Sequence, residues 1–351
     1  MLPLERLVRE TISAEGPMRL DRYMGLCLGH PDHGYYMRRD PFGPEGDFIT
    51  APEVSQVFGE LIGIWCVAAW QAAGAPPNFN LVELGPGRGT LMSDLLRTAA
   101  KAMPDFARAA AIHLVETSPT LRAVQRQSVG GAVRWHGDLA TVPPGPLVLV
   151  ANEFFDAIPI RQFEKRDGRW HERVVGLRDD RLILGLVEAE IGGQGQDGDI
   201  IEFAPARSQI AAAIGQRLAT APGAALIIDY GHLGSAPGDT LQAMRAHAPV
   251  SILDGPGTAD LTSHVDFEAL GRALAQAGAT VHPALSQRQF LLAMGLEQRT
   301  AMLKARADAE TGGRLDRQAA RLAAPDQMGN LFKVLAVTSP GFATPYPFGL
   351  R

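Results

Sequence analysis

The segment Glu83-Leu-Gly-Pro-Gly-Arg-Gly-Thr90 constrains the fold of this chain more than any other feature of the sequence. It follows a short apolar stretch, Asn80–Leu84, that predicts a strand, and it precedes a helical pattern that begins near Thr90. Glycines permit positive φ angles and let the backbone approach a ligand, and the first turn of a helix offers unpaired N–H groups. A strand, a glycine turn and a helix in this order predict a cofactor site on an α/β sheet.

Strand and helix patterns alternate around this turn. Further apolar strands are predicted at Ala111–Glu116, Val133–Gly137, Pro146–Ala151 and Ala224–Tyr230, with a last one at Leu331–Thr338. The segment Pro146–Ala151 is apolar throughout, which is typical of a strand that is covered on both sheet faces. The alternation predicts a parallel sheet with right-handed crossovers, that is, a Rossmann-like α/β fold.

Two parts of the chain depart from this alternation. Residues 1–75 are predicted to be mostly helical, with a loop rich in glycine and proline that could cover the cofactor as a lid. Residues 162–203 contain alternating segments separated by turn residues, which predicts an inserted antiparallel β element on the substrate or partner side. Residues 76–161 and 204–351 would then form the cofactor-binding domain.

The composition argues against several classes of protein. Of the 351 residues, 46% are hydrophobic and 20% are charged, as in an ordinary globular chain. The net charge is −5 and no basic tract indicates nucleic-acid binding, while the longest apolar run, 61–70, is shorter than a membrane span. Cys27 and Cys66 have neither metal-site nor disulfide spacing, so no metal site is predicted. The amphipathic N-terminus lacks the apolar core of a signal peptide, and we therefore expect a cytoplasmic protein.

Acidic residues follow or end three successive predicted strands. Glu83 precedes the glycines, Glu116 ends the second strand, and Asp138, followed by Leu139, ends the third. Ligands of such sheets lie outside the carboxyl ends of the strands, so these acids are expected to face one site. The acid and glycines suit the methionine end of S-adenosylmethionine (SAM), whereas Glu116 suits a ribose and Asp138 an adenine amino group. The predicted cofactor contacts are Glu83, Gly85, Gly87, Gly89, Thr90, Glu116, Asp138, Leu139 and Asn152.

Polar and aromatic residues after the fourth strand, at 152–156, lie where a transferable methyl group is expected. Paired carboxylates such as Glu153 and Asp156 could orient a guanidinium by bidentate hydrogen bonds. His264 could accept a proton near neutral pH, which makes Glu153, Asp156 and His264 the predicted catalytic residues. The alternative is structural: Phe154 and Phe155 would belong to the core, Asn152 or Asp156 would cap a turn, and Asp266 would cap a helix. Substrate or lid contacts are predicted at Asp47, Phe48, Thr50, Glu53, Phe154, Phe155 and Asp266.

Longer motifs in this chain resemble those of the MidA-like methyltransferases, which include the mitochondrial complex I assembly arginine methyltransferase and bacterial homologues. The motifs are His30–Tyr36, Gly46–Glu53, Phe58–Glu60, Glu83–Thr90, Asn152–Pro159, Asp229–Gly231, Ala259–Phe267 and Met328–Lys333. They lie in order over nearly the whole chain, although Asn330 stands where the family usually has an acid. The resemblance implies a class I SAM-dependent fold and methylation of a protein arginine, with a complex I subunit as the candidate partner.

Other functions stay open on the sequence alone. An NAD-dependent oxidoreductase has a similar sheet, but its turn requires a third glycine where this chain has Thr90. A non-catalytic assembly factor could retain a SAM pocket, and a small-molecule methyltransferase could use the same site. The chain could also form a homodimer, and no nucleic-acid partner is expected.

Overall fold

The computed structural model describes residues 1–38 and 50–350. The predicted lid contacts Asp47 and Phe48 lie outside these described residues. The helices are α1 (Pro3–Glu15), α2 (Leu20–Gly29), α3 (Tyr35–Arg38), α4 (Ala51–Val54), α5 (Gln56–Ala72), α6 (Thr90–Ala102), α7 (Pro104–Ala109), α8 (Pro119–Ser128), α9 (Pro205–Thr220), α10 (Phe267–Gln276), α11 (Gln287–Ala293), α12 (Leu296–Lys304), α13 (Ala309–Ala323) and α14 (Met328–Leu331). The strands are β1 (Met18–Arg19), β2 (Phe79–Leu84), β3 (Ala110–Val115), β4 (Val133–His136), β5 (Leu147–Asn152), β6 (Arg161–Arg166), β7 (Arg169–Arg178), β8 (Arg181–Glu188), β9 (Ile200–Phe203), β10 (Gly223–His232), β11 (Gln242–Arg245), β12 (Ala248–Val250), β13 (Asp260–Thr262), β14 (Val265–Asp266), β15 (Thr280–Val281), β16 (Leu285–Ser286) and β17 (Phe332–Thr338).

The central sheet has the strand order β4-β3-β2-β5-β10-β17-β15. Strands β4, β3, β2, β5 and β10 are mutually parallel, whereas β17 runs antiparallel to β10. The chain passes from β2 through β3 to β4 on one side of β2, and then crosses to β5 on its other side. The strand order therefore reverses between β2 and β5, and ligands of such sheets bind at this switch point. This topology confirms the predicted Rossmann-like α/β fold.

Apolar strands and helices explain why the sheet lies at the centre of the protein. Every residue of β2 and β5 is buried. Helix α5 covers one face of the sheet with fully buried side chains such as Phe58 and Trp65. Helices α9 and α10 cover the other face, where Ile214 and Leu274 pack in the same cluster as Leu149 of β5. Burial on both faces fixes the positions of the strand ends that carry the site.

A second sheet contains the segment between β5 and α9. Strands β6, β7, β8 and β9 pair antiparallel, and β8 lies beside β7. Strand β1 joins this sheet, since Met18 pairs with Val175 and Arg19 with Val174. The N-terminal region therefore contributes a strand as well as helices, and a two-residue strand is too short to produce a periodic pattern in the sequence.

A third, small sheet has the order β12-β11-β13 and has no counterpart in the sequence-based prediction. Its strand β13 pairs with β11 and is buried at all three positions. The chain then continues through β14, which pairs parallel with the end of β10, and enters α10. This small sheet brings Asp260 to the carboxyl end of the central sheet.

Candidate active site

A cavity of about 530 Å³ lies at the carboxyl ends of the central strands. Its walls come from α2 and α3, the glycine turn after β2, the ends of β3 and β4, the segment after β5, and α9. A smaller recess of about 40 Å³ lies beside the glycine turn and shares Thr50, Gly85, Gly87 and Glu153 with the cavity. Pockets for small ligands typically measure about 300–1,000 Å³, so the cavity is large enough for a nucleoside cofactor.

The glycine turn has a backbone that other residues rarely adopt. Gly85, Gly87 and Gly89 have φ angles of +61°, +53° and +80°. A Cβ atom on Gly85 would lie 2.7 Å from Cδ2 of Phe154, and Phe154 itself lines the cavity. Gly89 precedes α6 as its left-handed N-cap, and the hydroxyl of Thr90 donates a hydrogen bond to Glu53. Position 85 therefore has no space for a side chain, because the Phe154 ring packs directly against its backbone.

Glu83 and Asn152 end neighbouring strands and line the smaller recess. The two side chains are 3% and 8% exposed, and Glu83 Oε2 and Asn152 Oδ1 have no hydrogen-bond partner among the described residues. Burial, followed by the charge of Glu116, raises the pKa of the Glu83 carboxyl to about 8. Buried polar atoms without partners are costly, so their presence beside the glycine turn indicates that a polar ligand group completes the recess.

Glu116 follows β3 and lines the cavity, as predicted from the strand end. Its Oε1 accepts a hydrogen bond from the Ser118 amide at 2.7 Å, and its Oε2 accepts one from Gln125 Nε2 at 3.3 Å. Burial raises the pKa of Glu116, whereas these hydrogen bonds lower it. Gln125 lies on α8 and was not identified from the sequence, because a buried glutamine inside a helix carries no motif.

Asp138 and Leu139 follow β4 and both line the cavity. The Asp138 side chain is exposed, and its Oδ1 accepts a hydrogen bond from the Ala140 amide at 2.7 Å. It therefore caps the short turn of 3-10 helix at Leu139–Thr141. Leu139 is buried and contributes an apolar surface to the same wall.

Glu153 is a non-glycine residue with a positive φ angle, +49°, directly after β5. Its Oε1 accepts hydrogen bonds from the Ala51 amide at 2.9 Å and from Asn152 Nδ2 at 3.1 Å. Burial raises the pKa of this carboxyl to about 7. A strained backbone and a raised pKa on one cavity-lining acid are features of residues that take part in chemistry.

Asp229 at the end of β10 holds the turn that carries Glu153. Its Oδ2 accepts hydrogen bonds from the amides of Phe155 and Asp156 at 2.9 and 3.2 Å. Phe155 is fully buried and belongs to the core, whereas Asp156 lines the cavity. Burial raises the pKa of Asp156, and the charge of Arg207 and a hydrogen bond from Tyr230 lower it.

Thr50 and Glu53 come before and within α4, next to the glycine turn. Thr50 lines both the cavity and the recess, and Glu53 lines the recess. Glu53 accepts the hydrogen bond from Thr90 and lies 4.0 Å from the Arg88 guanidinium. These contacts attach α4 to the glycine turn.

His264 and Asp266 are not among the residues that line the cavity, which differs from the prediction. The His264 ring packs edge-on against Tyr230 at 5.3 Å, and burial lowers its pKa. Asp266 is the N-cap of α10 and accepts a hydrogen bond from the Ala269 amide at 2.9 Å. The pairing of β14 with β10 directs this segment into α10 and away from the cavity.

Carboxyl groups dominate the polar part of the cavity. Among the described residues its lining includes five acids and no lysine, arginine or histidine. The five acids are Glu116, Asp138, Glu153, Asp156 and Asp260. The described residues contain no group of three or more histidine, cysteine, aspartate or glutamate side chains arranged to hold a metal ion. The cavity is therefore suited to organic ligands that carry positive charge.

The fold and the glycine turn with its strand-end acids define a class I SAM-dependent methyltransferase. A family model of S-adenosyl-L-methionine-dependent methyltransferases matches residues 61–285, and the chain belongs to this family. The chain is 36% identical over 364 residues to protein arginine methyltransferase NDUFAF7, mitochondrial, of Xenopus tropicalis, covering 93% of this chain and 83% of the relative. The protein of the same name from Homo sapiens is 35% identical over 333 residues, covering 86% of this chain and 75% of the relative.

A solved structure supports the same assignment. It is a Burkholderia thailandensis protein, described as a likely methyl transferase and bound to S-adenosyl-homocysteine, with a TM-score of 0.85 and 29% identity over 97% of this chain and 92% of that one. The comparisons confirm the predicted family, the fold, the methyltransferase activity and SAM as the cofactor. The backbone of Gly85 and Gly87, which lines both the cavity and the recess, and the unpartnered atoms of Glu83 and Asn152 fit this cofactor.

One expectation is overturned by the same comparisons. The prediction of a cytoplasmic protein is wrong, since the relatives are named as mitochondrial proteins. Within the described ranges, no helix has both the length and the apolar character that crossing a membrane requires.

Proposed function

We propose that this protein transfers a methyl group from SAM to a guanidine nitrogen of an arginine side chain in another protein. The observation that carries the proposal is the set of five cavity-lining acids, with no basic residue in the described lining. A guanidinium is a permanent cation whose planar array of donors matches carboxylates in a bidentate manner. The relatives named protein arginine methyltransferases support this choice of acceptor.

In this proposal the cofactor lies along the ends of β2, β3 and β4. Glu116 accepts the ribose hydroxyls, while Asp138 and Leu139 border the adenine. Gly85 and Gly87 border the methionine part, and Glu83, Asn152 and Thr90 contribute polar contacts at the recess. Gly89 lines neither space, because its backbone packs against α8, and its part is to complete the turn. The residues that line the cavity and the recess support this arrangement. It also follows the general rule that ligands of such sheets bind outside the carboxyl ends of the strands.

The chemistry requires a positioned acceptor and a place for one proton. When bound, SAM would supply an electrophilic methyl group, and the bond between this carbon and sulfur would break with its electron pair left on sulfur as the bond to the guanidine nitrogen formed. Glu153 accepts the proton that this nitrogen loses and later releases it to solvent. Its pKa of about 7 is suited to this exchange near neutral pH. Asp156 orients the acceptor, and His264 has no direct part because it lies outside the cavity lining.

The partner is proposed from the family resemblance, which points to a subunit of respiratory complex I and a role in complex I assembly. Residues 76–161 and 204–351 would bind the cofactor, and the sheet of residues 162–203 would contact the partner. Residues 1–75 would close one side of the site, because Ala51 donates a hydrogen bond to Glu153 and Tyr36 donates one to Asp260. The substrate partner enters beside α2, α3 and α9, which form the remaining walls.

The test is methyl transfer from labelled SAM to proteins of cells that lack this gene. Purified protein should label a protein fraction, and hydrolysis of that fraction should release methylated arginine. The Glu153→Gln variant is the control, since it keeps the cofactor site but lacks the proton acceptor. Label found in small molecules, or in a residue other than arginine, would overturn the proposal. Tight SAM binding without any transfer would instead indicate a non-catalytic assembly factor.

A further inference from the structure

Asp260, an acid that the sequence did not single out as a site residue, forms part of the cavity wall. It begins β13, and its side chain is 4% exposed. Asp260 belongs to the wall formed by α2, α3 and the segment after β5, whereas Glu116 and Asp138 follow β3 and β4. This wall borders the part of the cavity beside the proposed cofactor position.

The orientation of Asp260 is fixed by Tyr36 of α3. The Tyr36 hydroxyl donates a hydrogen bond to Asp260 Oδ1 at 2.8 Å. The backbone oxygen of Tyr36 in turn accepts a hydrogen bond from Ser118 Oγ at 2.7 Å. Because the Ser118 amide also donates to Glu116, the position of Tyr36 is tied to the wall of the cavity that receives the cofactor. A side chain held in this way is preorganised to bind a ligand.

Asp156 is the second acid of this part of the cavity. Its side chain is 7% exposed, and its Oδ1 atom has no hydrogen-bond partner among the described residues. The backbone oxygen of Asp156 accepts a hydrogen bond from the amide of Ser263 at 3.1 Å, and Ser263 directly follows the strand that Asp260 begins. Asp156 therefore lies beside β13, which brings the two acids to one region of the cavity wall.

The buried guanidinium of Arg207 lies near Asp156 but donates no hydrogen bond to its carboxylate. Arg207 Nη1 donates to the backbone oxygen of His264 at 2.7 Å, and its Nη2 donates to the backbone oxygen of Asp156 at 3.0 Å. Nη2 also donates to the hydroxyl of Ser263 at 2.6 Å. Arg207 therefore stabilises the loops around the site, and Oδ1 of Asp156 is left for a donor from the ligand.

We propose that Asp260 and Asp156 together bind the guanidinium of the acceptor arginine, with Tyr36 as the positioning residue for Asp260. The inference rests on the proposed function and deepens it, since it assigns the acceptor-binding side chains. Two carboxylates on one wall can receive donors from two nitrogens of a planar guanidinium. A lysine ammonium is a compact charge without this planar array of donors, so the pair favours arginine over lysine.

The test uses the full-length protein and a protein acceptor that the wild type methylates. Asp260→Asn should raise the KM for this acceptor by about tenfold or more, because a charge-assisted contact is lost. The affinity for SAM, measured by calorimetry, should stay within about twofold of the wild type, since Asp260 is not a proposed cofactor contact. Asp254→Asn is the matched control: Asp254 is exposed, pairs with Arg245 and does not line the cavity, so both constants should be unchanged.

Tyr36→Phe provides a second, milder variant, which keeps the ring and removes the hydroxyl that holds Asp260. It should raise the acceptor KM by a smaller factor than Asp260→Asn, again with little change in SAM affinity. An unchanged acceptor KM in Asp260→Asn overturns the assignment of Asp260. Equal losses of SAM and acceptor binding also overturn it, because they indicate a structural role. If the wild type methylates no arginine, the proposed function itself is refuted, and the assignment of the acceptor site is refuted as well.

Discussion

Nε2 of Gln125 donates hydrogen bonds to the backbone oxygen of Gly87 at 2.7 Å and to Oε2 of Glu116 at 3.3 Å. Oε1 of Gln125 accepts a hydrogen bond from Nε1 of Trp135 at 2.8 Å, which fixes the orientation of the amide. One fully buried side chain thus connects the glycine turn after β2 with the acid after β3. These two elements are proposed to hold different parts of the same SAM molecule, so their relative position matters for its affinity.

Gln125→Leu is expected to weaken SAM binding by roughly 1–3 kcal/mol, that is, by about 5- to 150-fold, because the hydrogen bonds that connect the glycine turn with Glu116 are lost. At saturating SAM the turnover number should stay close to that of the wild type, since Gln125 is not among the cavity-lining residues. Calorimetry and initial rates provide the two measurements. Gln127→Leu is the control on the same helix, where the side chain is exposed. Equal effects of the two substitutions would count against a positioning role for Gln125.

The elements that could be predicted from the sequence are those with strong local signals. Strands β2 and β5 are buried at every position and were predicted at nearly their observed bounds. Glu83 and Glu116 could be assigned to one site because the ends of neighbouring parallel strands converge. His264 and Asp266 lie outside the cavity lining, and their direction depends on the pairing of β14 with β10, which no local pattern in the sequence indicates.

The parts that could not be predicted depend on contacts between distant segments. Tyr36 and Asp260 are 224 positions apart, and a three-residue strand, β13, brings Asp260 to the cavity. A strand of this length has no measurable periodicity, and no motif links it to α3. The fixed amide of Gln125 likewise depends on Trp135 and on the backbone of Gly87, which the sequence does not place beside α8.

Gly85→Ala is expected to reduce SAM affinity strongly, by about 10-fold or more, for two physical reasons. The new Cβ would lie 2.7 Å from Phe154 Cδ2, and the φ angle of +61° is unfavourable for alanine. Gly130→Ala separates these effects, because Gly130 has a φ angle of +68° but no atom within 4 Å of the position that an alanine Cβ would take. Thermal unfolding should show a loss of stability in both variants, whereas calorimetry should show weaker SAM binding only for Gly85→Ala. Undiminished affinity in Gly85→Ala would remove this glycine from the cofactor site.

Glu83→Gln is expected to stabilise the protein without SAM and at the same time to weaken SAM binding. Burial raises the pKa of Glu83 to about 8, so the folded state binds a proton more tightly than the unfolded state, whose pKa is near 4.5. The free energy of unfolding should therefore fall as the pH rises from about 4.5 to about 8. Glutamine removes this titration and should add roughly 1–3 kcal/mol at neutral pH.

The comparison for Glu83 is Glu60→Gln, which changes another buried glutamate. Glu60 accepts hydrogen bonds from Arg299 at 2.7 and 3.1 Å, so glutamine at this position removes the negative charge and one of the two acceptor oxygens and should destabilise the protein. Denaturant unfolding at pH 6 and pH 8 measures both variants. If, in the absence of SAM and at pH 8, Glu83→Gln is less stable than the wild type, the buried Glu83 carboxyl does not lower the free energy of unfolding as proposed.

Glu153→Gln is expected to bind SAM with nearly wild-type affinity and to lose most of its turnover, about 100-fold or more, because general base catalysis typically contributes that much. The glutamine oxygen can still accept the hydrogen bond from the Ala51 amide, so the turn after β5 should keep its shape.

In the wild type, kcat/KM should fall as the pH drops below about 7, since a protonated Glu153 cannot accept the proton of the guanidine nitrogen. A bound guanidinium lowers the pKa of Glu153, and the fall in kcat should therefore begin at a lower pH than the fall in kcat/KM. The residual kcat/KM of Glu153→Gln should not fall as the pH drops below about 7. If kcat/KM of the wild type stays constant from pH 6 to pH 8, a group other than Glu153 accepts the proton.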